Sequence, residues 1–275
     1  MVHRPLTPGA INSVMSRFHP RAYNTSMPEQ SRPQFPSKDD FDKICAGYHK
    51  ACDAICATLS STSTNGPLQQ TLIAFQQRML HGITTLRYLD RVPDSRRDSA
   101  VVLRALYDLH LQILYILCDA VKRVDDYRAY MAVEQFEWVQ LIKTSNAALA
   151  QRIRARADFA PAAAEREADY DKIKHRFLAK SGKKCWPHWY KGKLDDLAKE
   201  VGRLDEYKLV QKILSQIVHG SAIAIARPLM IPDPAFVHDG WIITTRVLDA
   251  IAKYLNVTVE DEHLPFIEQA RTSIY

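Results

Sequence analysis

Residues 100–118 read AVVLRALYDLHLQILYILC, a run that is apolar on most sides of a helix, with Arg104, Asp108 and Gln112 intruding four residues apart. That spacing stacks the three polar side chains along one helix face. The run therefore predicts a central, buried helix with a single polar stripe, capped by Ser99 and extending from Ala100 to about Val124. A helix this apolar needs apolar neighbours, and the flanking sequence supplies them at helical period. Phe41, Ile44, Cys45, Tyr48, Cys52, Ile55 and Cys56 follow a Ser37 cap and predict a helix to about Leu59. Leu72, Phe75, Met79, Ile83, Leu86 and Leu89 predict a second over 68–89, and the breaker-rich SSTSTNGP at 60–67 joins the two as an antiparallel hairpin.

Downstream, helices are expected from Asp126 to about Asp158, from Ala162 to about Lys180, and from Leu194 to Val201 before Gly202. A second buried helix is expected from Asp205 to about Ala226, stopped by Pro228, Pro232 and Pro234, and tail helices over 235–256 and 260–272. No strand pattern of convincing length and no fixed-period repeat appears. The fold class is therefore all-α, a multi-helix bundle. One helical domain spans 37–275, comprising a hairpin (37–91), a core (99–226) and C-terminal helices (235–272). Before it, residues 1–36 hold six of the fourteen prolines among serine, arginine and glutamine and read as a flexible basic arm, suited to a protein partner. Its arginines with almost no acid also resemble an organellar transit peptide.

With 47% hydrophobic residues and only 9 glycines among 275, collagen-like, disordered and glycine-rich nucleotide-binding classes lose ground. The net charge of +6 is unevenly placed: Arg4, Arg17, Arg21, Arg32 and Lys38 face one acid in residues 1–38, residues 172–194 carry eight cations and no acid, and the remainder is acidic. No apolar run approaches the roughly 18 residues of a membrane span, and no secretory signal is evident, so a cytoplasmic protein without a membrane segment is expected. Five cysteines, an odd number without a C-x-x-C pair, suit reduced thiols. Cys45, His49, Cys52 and Cys56 share a helix face, yet eleven residues of helix span roughly 16 Å, too far for one zinc ion. They read as a core-facing stripe, and neither a metal nor a cofactor is expected.

Two constellations carry possible chemistry. Tyr207, Gln211, Ser215 and His219 step four residues at a time through Leu209, Val210, Ile213, Leu214, Ile217 and Val218, matching the Arg104–Asp108–Gln112 stripe, and the two stripes are expected to face each other. A histidine and a fixed cation in an apolar bundle suit acid–base work; a polar network that only sets helix register is the alternative. The loop Lys183-Lys184-Cys185-Trp186-Pro187-His188-Trp189-Tyr190-Lys191-Gly192-Lys193 interleaves cations with aromatics, an arrangement that holds phosphates and stacks bases of single-stranded nucleic acid. Its alternative is a loop whose tryptophans plug the core. Hydrolase, P-loop, Rossmann and zincin motifs are absent from the sequence.

Arg104-x-x-x-Asp108, Trp189-x-x-Gly192-x-Leu194-x-x-Leu197-Ala198, and Tyr207 leading to Ser215-x-x-x-His219-Gly220-Ser221 together resemble the bacterial domain-of-unknown-function family five-six-seven-seven. That family is distantly similar to the HEPN superfamily of helical bundles, many of them metal-independent ribonucleases of toxin or phage-defence systems. The resemblance implies an endoribonuclease in which His219 exchanges a proton with the 2′-hydroxyl and Arg104 or Lys212 stabilises the phosphorane. Asp108 would orient Arg104, Ser215 and Tyr207 would hydrogen-bond the site, and Lys183, Lys184, Trp186, Trp189, Lys191 and Lys193 would hold RNA. It also implies a homodimer. The competing expectation is a non-enzymatic interaction or nucleic-acid-sensing module of a defence or stress system.

Overall fold

In a computed structural model, helix α1 (Pro67–Leu89) begins where Gly66 leaves the chain extended and Pro67 fills the first turn, a position at which its missing N–H removes no helical bond. Its face of Leu72, Phe75, Met79, Ile83 and Leu86 is buried against α2 (Arg96–Cys118), which contributes Leu103, Leu106, Tyr107, Leu111, Ile113 and Ile116. Two glycines set how closely the helices approach. A Cβ at Gly82 would overlap the Leu106 side chain, and one at Gly240 would come within 2.6 Å of Leu86 Cδ1.

The described residues are 42, 43, 45–47, 49, 50, 52, 53, 57, 66–92, 94–179, 182, 184–218, 233–256 and 264–272. The expected N-terminal arm lies outside them. Those between 42 and 57 are helical. Beyond α2 come α3 (Ala120–Thr144), α4 (Ala148–Arg154), α5 (Phe159–Ile173) with a 3-10 turn over Lys174–Arg176, α6 (Leu194–Glu200), α7 (Leu204–Val218), α8 (Asp233–Tyr254) and α9 (Leu264–Thr272). The protein is an all-α bundle, and among the described residues the only strand-like feature is an isolated bridge between Leu178 and Cys185.

Two expected helices are each divided. The run expected over 100–124 ends at Cys118, because Asp119 (φ −149°, ψ 68°) turns the chain onto the α3 axis. Arg123 stabilises this break: its guanidinium donates to the Tyr115 carbonyl at 2.5 Å, lies 3.7 Å over the Tyr115 ring and pairs with Glu200. The run expected over 126–158 likewise breaks after Thr144, where Ser145 is extended (ψ 136°) and Arg154 donates back to the Ile142 and Ser145 carbonyls. In both places an arginine from the next element takes over carbonyls that helix termination leaves without partners.

α1, α2 and α8 pack on one another, α7 covers α2, α9 covers α8, and α3 pairs with α5 to one side. The most enclosed helix is α8, in which every residue from Gly240 to Asp249 is buried. α2, expected to be the central one, keeps an open side: Val101 is 46% exposed, and Arg104, Asp108 and Gln112 are half-buried. By length and composition α2 alone among the described helices would suffice to cross a bilayer; here it is packed against α1, α7 and α8.

Candidate functional site

The polar stripe of α2 lies along that open side, and two elements close over it. From the 184–193 loop, the Trp189 indole N–H donates to Gln112 Oε1 at 3.0 Å, and the ring packs edge-on to Tyr115 and Tyr127 with centroids 5.5 and 5.4 Å away. Tyr190, also buried, stands beside Asp108, and desolvation, with the Asp108 charge adding to it, pushes the phenol up to about 12. From α7, Tyr207 is buried among Asp195, Asp108 and Arg104 and stacks in parallel with Tyr107 at 6.5 Å.

Asp108 is the unusual member. Its Oδ1 is buried with no hydrogen-bond partner, and no ion pair closes between it and Arg104. Burial pushes its carboxyl from 3.8 to about 6, with the Arg104 charge opposing the shift. A carboxyl held near neutrality beside a guanidinium free of carboxylate partners suits proton transfer at an anion.

The structure brings the two stripes together at Tyr207. Tyr207 faces Arg104 and Asp108, while His110 lies near Arg203, so α7 runs antiparallel to α2. Ser215, eight residues beyond Tyr207, is about 12 Å further along the helix. Lys212 is exposed, half a turn from the buried Val210 and Leu214. His219 and Lys183 lie outside the described residues.

The loop divides by chemistry. Trp189 is 7% exposed and Trp186 is half-buried against Phe177, its carbonyl accepting from the Tyr130 hydroxyl. The core occupies both rings, which removes Trp189 as a free stacking platform. Lys184, Lys191 and Lys193 are exposed and form no ion pair among the described residues. Three of the preceding cations are neutralised: Lys172 pairs with Asp169 (2.9 Å), Lys174 with Asp171 (2.6 Å), and Arg176 with Asp125 and Asp126.

Deeper in the bundle is a polar node that the sequence reading missed. Arg246, 4% exposed on α8, donates to Glu206 Oε1 of α7 (2.6 Å) and to the Ala270 carbonyl of α9 (2.5 Å), while Arg203 holds the other Glu206 oxygen at 3.0 Å. His110 and Tyr107 of α2 border it. Neither His110 nitrogen has a partner, and desolvation with the Arg246 and Arg203 charges pushes the imidazole down to about 3, so it is neutral. The Tyr107 hydroxyl stands beside Glu206 without completing a hydrogen bond, and burial raises its phenol above the ordinary range. The available signal was Arg246, the one charge in the apolar run from Gly240 to Leu248, where burial requires a partner.

Cys52 is fully buried with Sγ 3.7 Å from Thr245 Oγ1, and Cys45 is half-buried, in keeping with core thiols. No group of metal-ligating side chains occurs among the described residues. The chain belongs to the family of unknown function DUF5677, whose model matches residues 92–234, just over half its length and the whole of the α2–α7 site. No curated protein and no solved structure matches it.

Proposed function

We propose that the chain acts on RNA along the open side of α2, as a metal-independent endoribonuclease of a toxin or phage-defence kind. The observation that carries this reading is the unpaired, half-buried Asp108 carboxyl beside Arg104, under a loop presenting the unpaired cations Lys184, Lys191 and Lys193. The lysines attract the phosphate backbone, and Arg104 offers a planar fork to a phosphate within the strand. Ionised Asp108 takes the 2′-hydroxyl proton as the 2′-oxygen bonds to phosphorus. The bond from phosphorus to the 5′-oxygen breaks, that oxygen takes a proton from water, and Arg104 offsets the charge on the non-bridging oxygens. His219, nominated by the sequence as the base, is the competing proton acceptor. Pairing of two copies belongs to the same reading, with Trp138, Leu141 and Leu149 of α3 and α4, each more than 60% exposed, as the apolar face.

The test is incubation of wild type, Asp108→Asn, Arg104→Ala and His219→Ala with mixed RNA in EDTA, followed on a denaturing gel. Cleavage by wild type that is lost in Asp108→Asn and Arg104→Ala supports the assignment. Cleavage surviving in Asp108→Asn but lost in His219→Ala moves the base to His219. A second reading, sensing of nucleic acid without cutting, is favoured by the bond from Trp189 to Gln112, which seals the loop onto the stripe. It predicts uncut RNA bound in a salt-sensitive manner and weakened by Lys191→Ala plus Lys193→Ala. Absence of both cleavage and binding leaves the stripe as a structural network.

A further inference from the structure

A cavity of about 480 Å³ opens between α1, α2 and α3. Gln112, the last member of the α2 polar stripe and the acceptor of the Trp189 indole N–H, lines it, so the cavity continues the surface on which Arg104 and Asp108 stand. Three observations give it a ligand chemistry. Arg78 of α1 and Arg128 of α3 reach it from two different helices, neither forms an ion pair, and no acidic side chain among the described residues lines it. Arg128 is held by neutral partners, the Pro67 carbonyl at 3.3 Å and Gln70 Oε1 at 3.2 Å, which fix its direction and leave its charge uncompensated. The Tyr127 hydroxyl, within reach of the Arg78 charge, has no hydrogen-bond partner among the described residues. The acids nearby are turned to other uses: Asp125 and Asp126 pair with Arg176, and Glu134, which also acts on Tyr127, lines the separate groove between α3 and α5.

We propose that this cavity is a second subsite for the RNA strand, resting on the RNA reading of the α2 stripe: it takes the phosphate of a neighbouring nucleotide between Arg78 and Arg128, with the nucleoside in the hollow against Tyr127 and Phe75. Two guanidiniums hold a phosphodiester through charge-assisted hydrogen bonds, and a set of neutral anchors keeps one of them preorganised. The position suits a continuous strand. Gln112 is four residues, about 6 Å, from Asp108 along α2. Stacked nucleotides advance about 3.4 Å each, so a strand reacting at Asp108 brings a phosphate one or two nucleotides away to the cavity. The volume is ordinary for a small organic group and far exceeds a bare phosphate. The alternative is that Arg128 only ties α3 to the first turn of α1 while Arg78 is solvated.

Fluorescence anisotropy of a labelled single-stranded oligouridylate, titrated into the full chain carrying Asp108→Asn so that the RNA stays intact, decides between them. Adding Arg78→Ala and Arg128→Ala together is expected to weaken binding about a hundredfold, about tenfold for each charge-assisted contact. The slope of log affinity against log salt is expected to fall by about 0.7, one phosphate on a single strand. Arg78 forms no hydrogen bond within the described fold, so Arg78→Ala alone is expected to weaken binding about tenfold at an unchanged Tm. Arg152→Ala on α4 removes an exposed cation outside the cavity and is expected to leave the affinity unchanged. RNA bound equally well without Arg78 and Arg128, or weakened as much by Arg152→Ala, overturns the subsite and leaves the RNA reading standing. Binding that depends on the two arginines while wild type cuts no RNA upholds the subsite and overturns the cleavage reading. Absence of any oligouridylate binding overturns both.

Discussion

Asp108→Asn should make the protein more stable at neutral pH and should do so in a pH-dependent way. In the folded chain the Asp108 carboxyl releases its proton near pH 6, against 3.8 when unfolded. Below about pH 4 both states hold the proton and the group contributes no difference. Between about pH 4 and 6 the unfolded chain ionises first, so the folded state loses ground as pH rises, and above about pH 7 the loss is complete. A gap of roughly two units corresponds to about 3 kcal/mol. Because the side chain is only partly enclosed, screening reduces the expected net to about 1–3 kcal/mol. Asparagine keeps the shape and removes the charge, so at pH 7.5 the variant should gain that amount, about 2–4 °C in Tm per kcal/mol for a chain of this size. The two proteins should converge by pH 4. Urea unfolding of both at pH 4, 5, 6 and 7.5 measures the difference directly, and its growth with pH isolates Asp108 from every other titrating group. A difference that stays flat across that range, or a variant less stable at pH 7.5, refutes the placement of this carboxyl in a desolvated position. If the same variant also loses RNA cleavage, its stability gain is the reverse side of a functional strain.

His110→Leu should flatten the acid limb of the stability curve. The native imidazole stays neutral down to about pH 3 while the unfolded one protonates near 6.5, so wild type loses up to about 1.4 kcal/mol per pH unit below 6.5 from this group alone. A variant whose acid limb matches wild type would show that His110 gains a proton without unfolding. Glu206→Gln leaves Arg246 without its carboxylate and should cost about 3–5 kcal/mol in denaturant unfolding; a cost below about 1 kcal/mol would mean that solvent reaches the pair. Trp189→Phe removes the Gln112 bond and should cost about 1–3 kcal/mol, while fluorescence reports whether the loop still docks. Trp138→Glu should raise the monomer fraction in sedimentation if two copies meet on α3, and an unchanged fraction assigns the pairing elsewhere.

The helical bundle was legible because its signals are local. Apolar spacing at 3.6 residues placed α1, α8 and the start of α7 to within a few residues, the expected end of α7 near Ala226 lying outside the described residues, and Gly202 (φ 71°) ends α6 as the sequence indicated. What the sequence hid were the breaks at Asp119 and Ser145. Neither position carries proline or glycine, and both turns depend on arginines from the following element, Arg123 and Arg154, capping carbonyls of the preceding one. A contact made by an arginine eight or nine residues away is invisible to a periodicity argument.

The site was legible in the same partial way. Four-residue spacing correctly put Arg104, Asp108 and Gln112 on one face, but periodicity ranks faces only within a helix and says nothing of which face the bundle leaves open. Here the polar face is half-buried under α7 and the 184–193 loop, and the charges that are truly interior sit elsewhere, on Arg246 and Glu206. That exchange has a physical logic. Arg246 and Glu206 spend their hydrogen bonds on each other, Arg203 and the Ala270 carbonyl, so the buried pair is fully employed in joining α7, α8 and α9. Arg104 and Asp108, half in water, are left uncommitted. An uncommitted cation and a carboxyl pushed toward neutrality can respond to an arriving anion, whereas the interior pair, joined to each other and to Arg203 and the Ala270 carbonyl, cannot, and for that reason the proposed chemistry is placed on the polar stripe of α2.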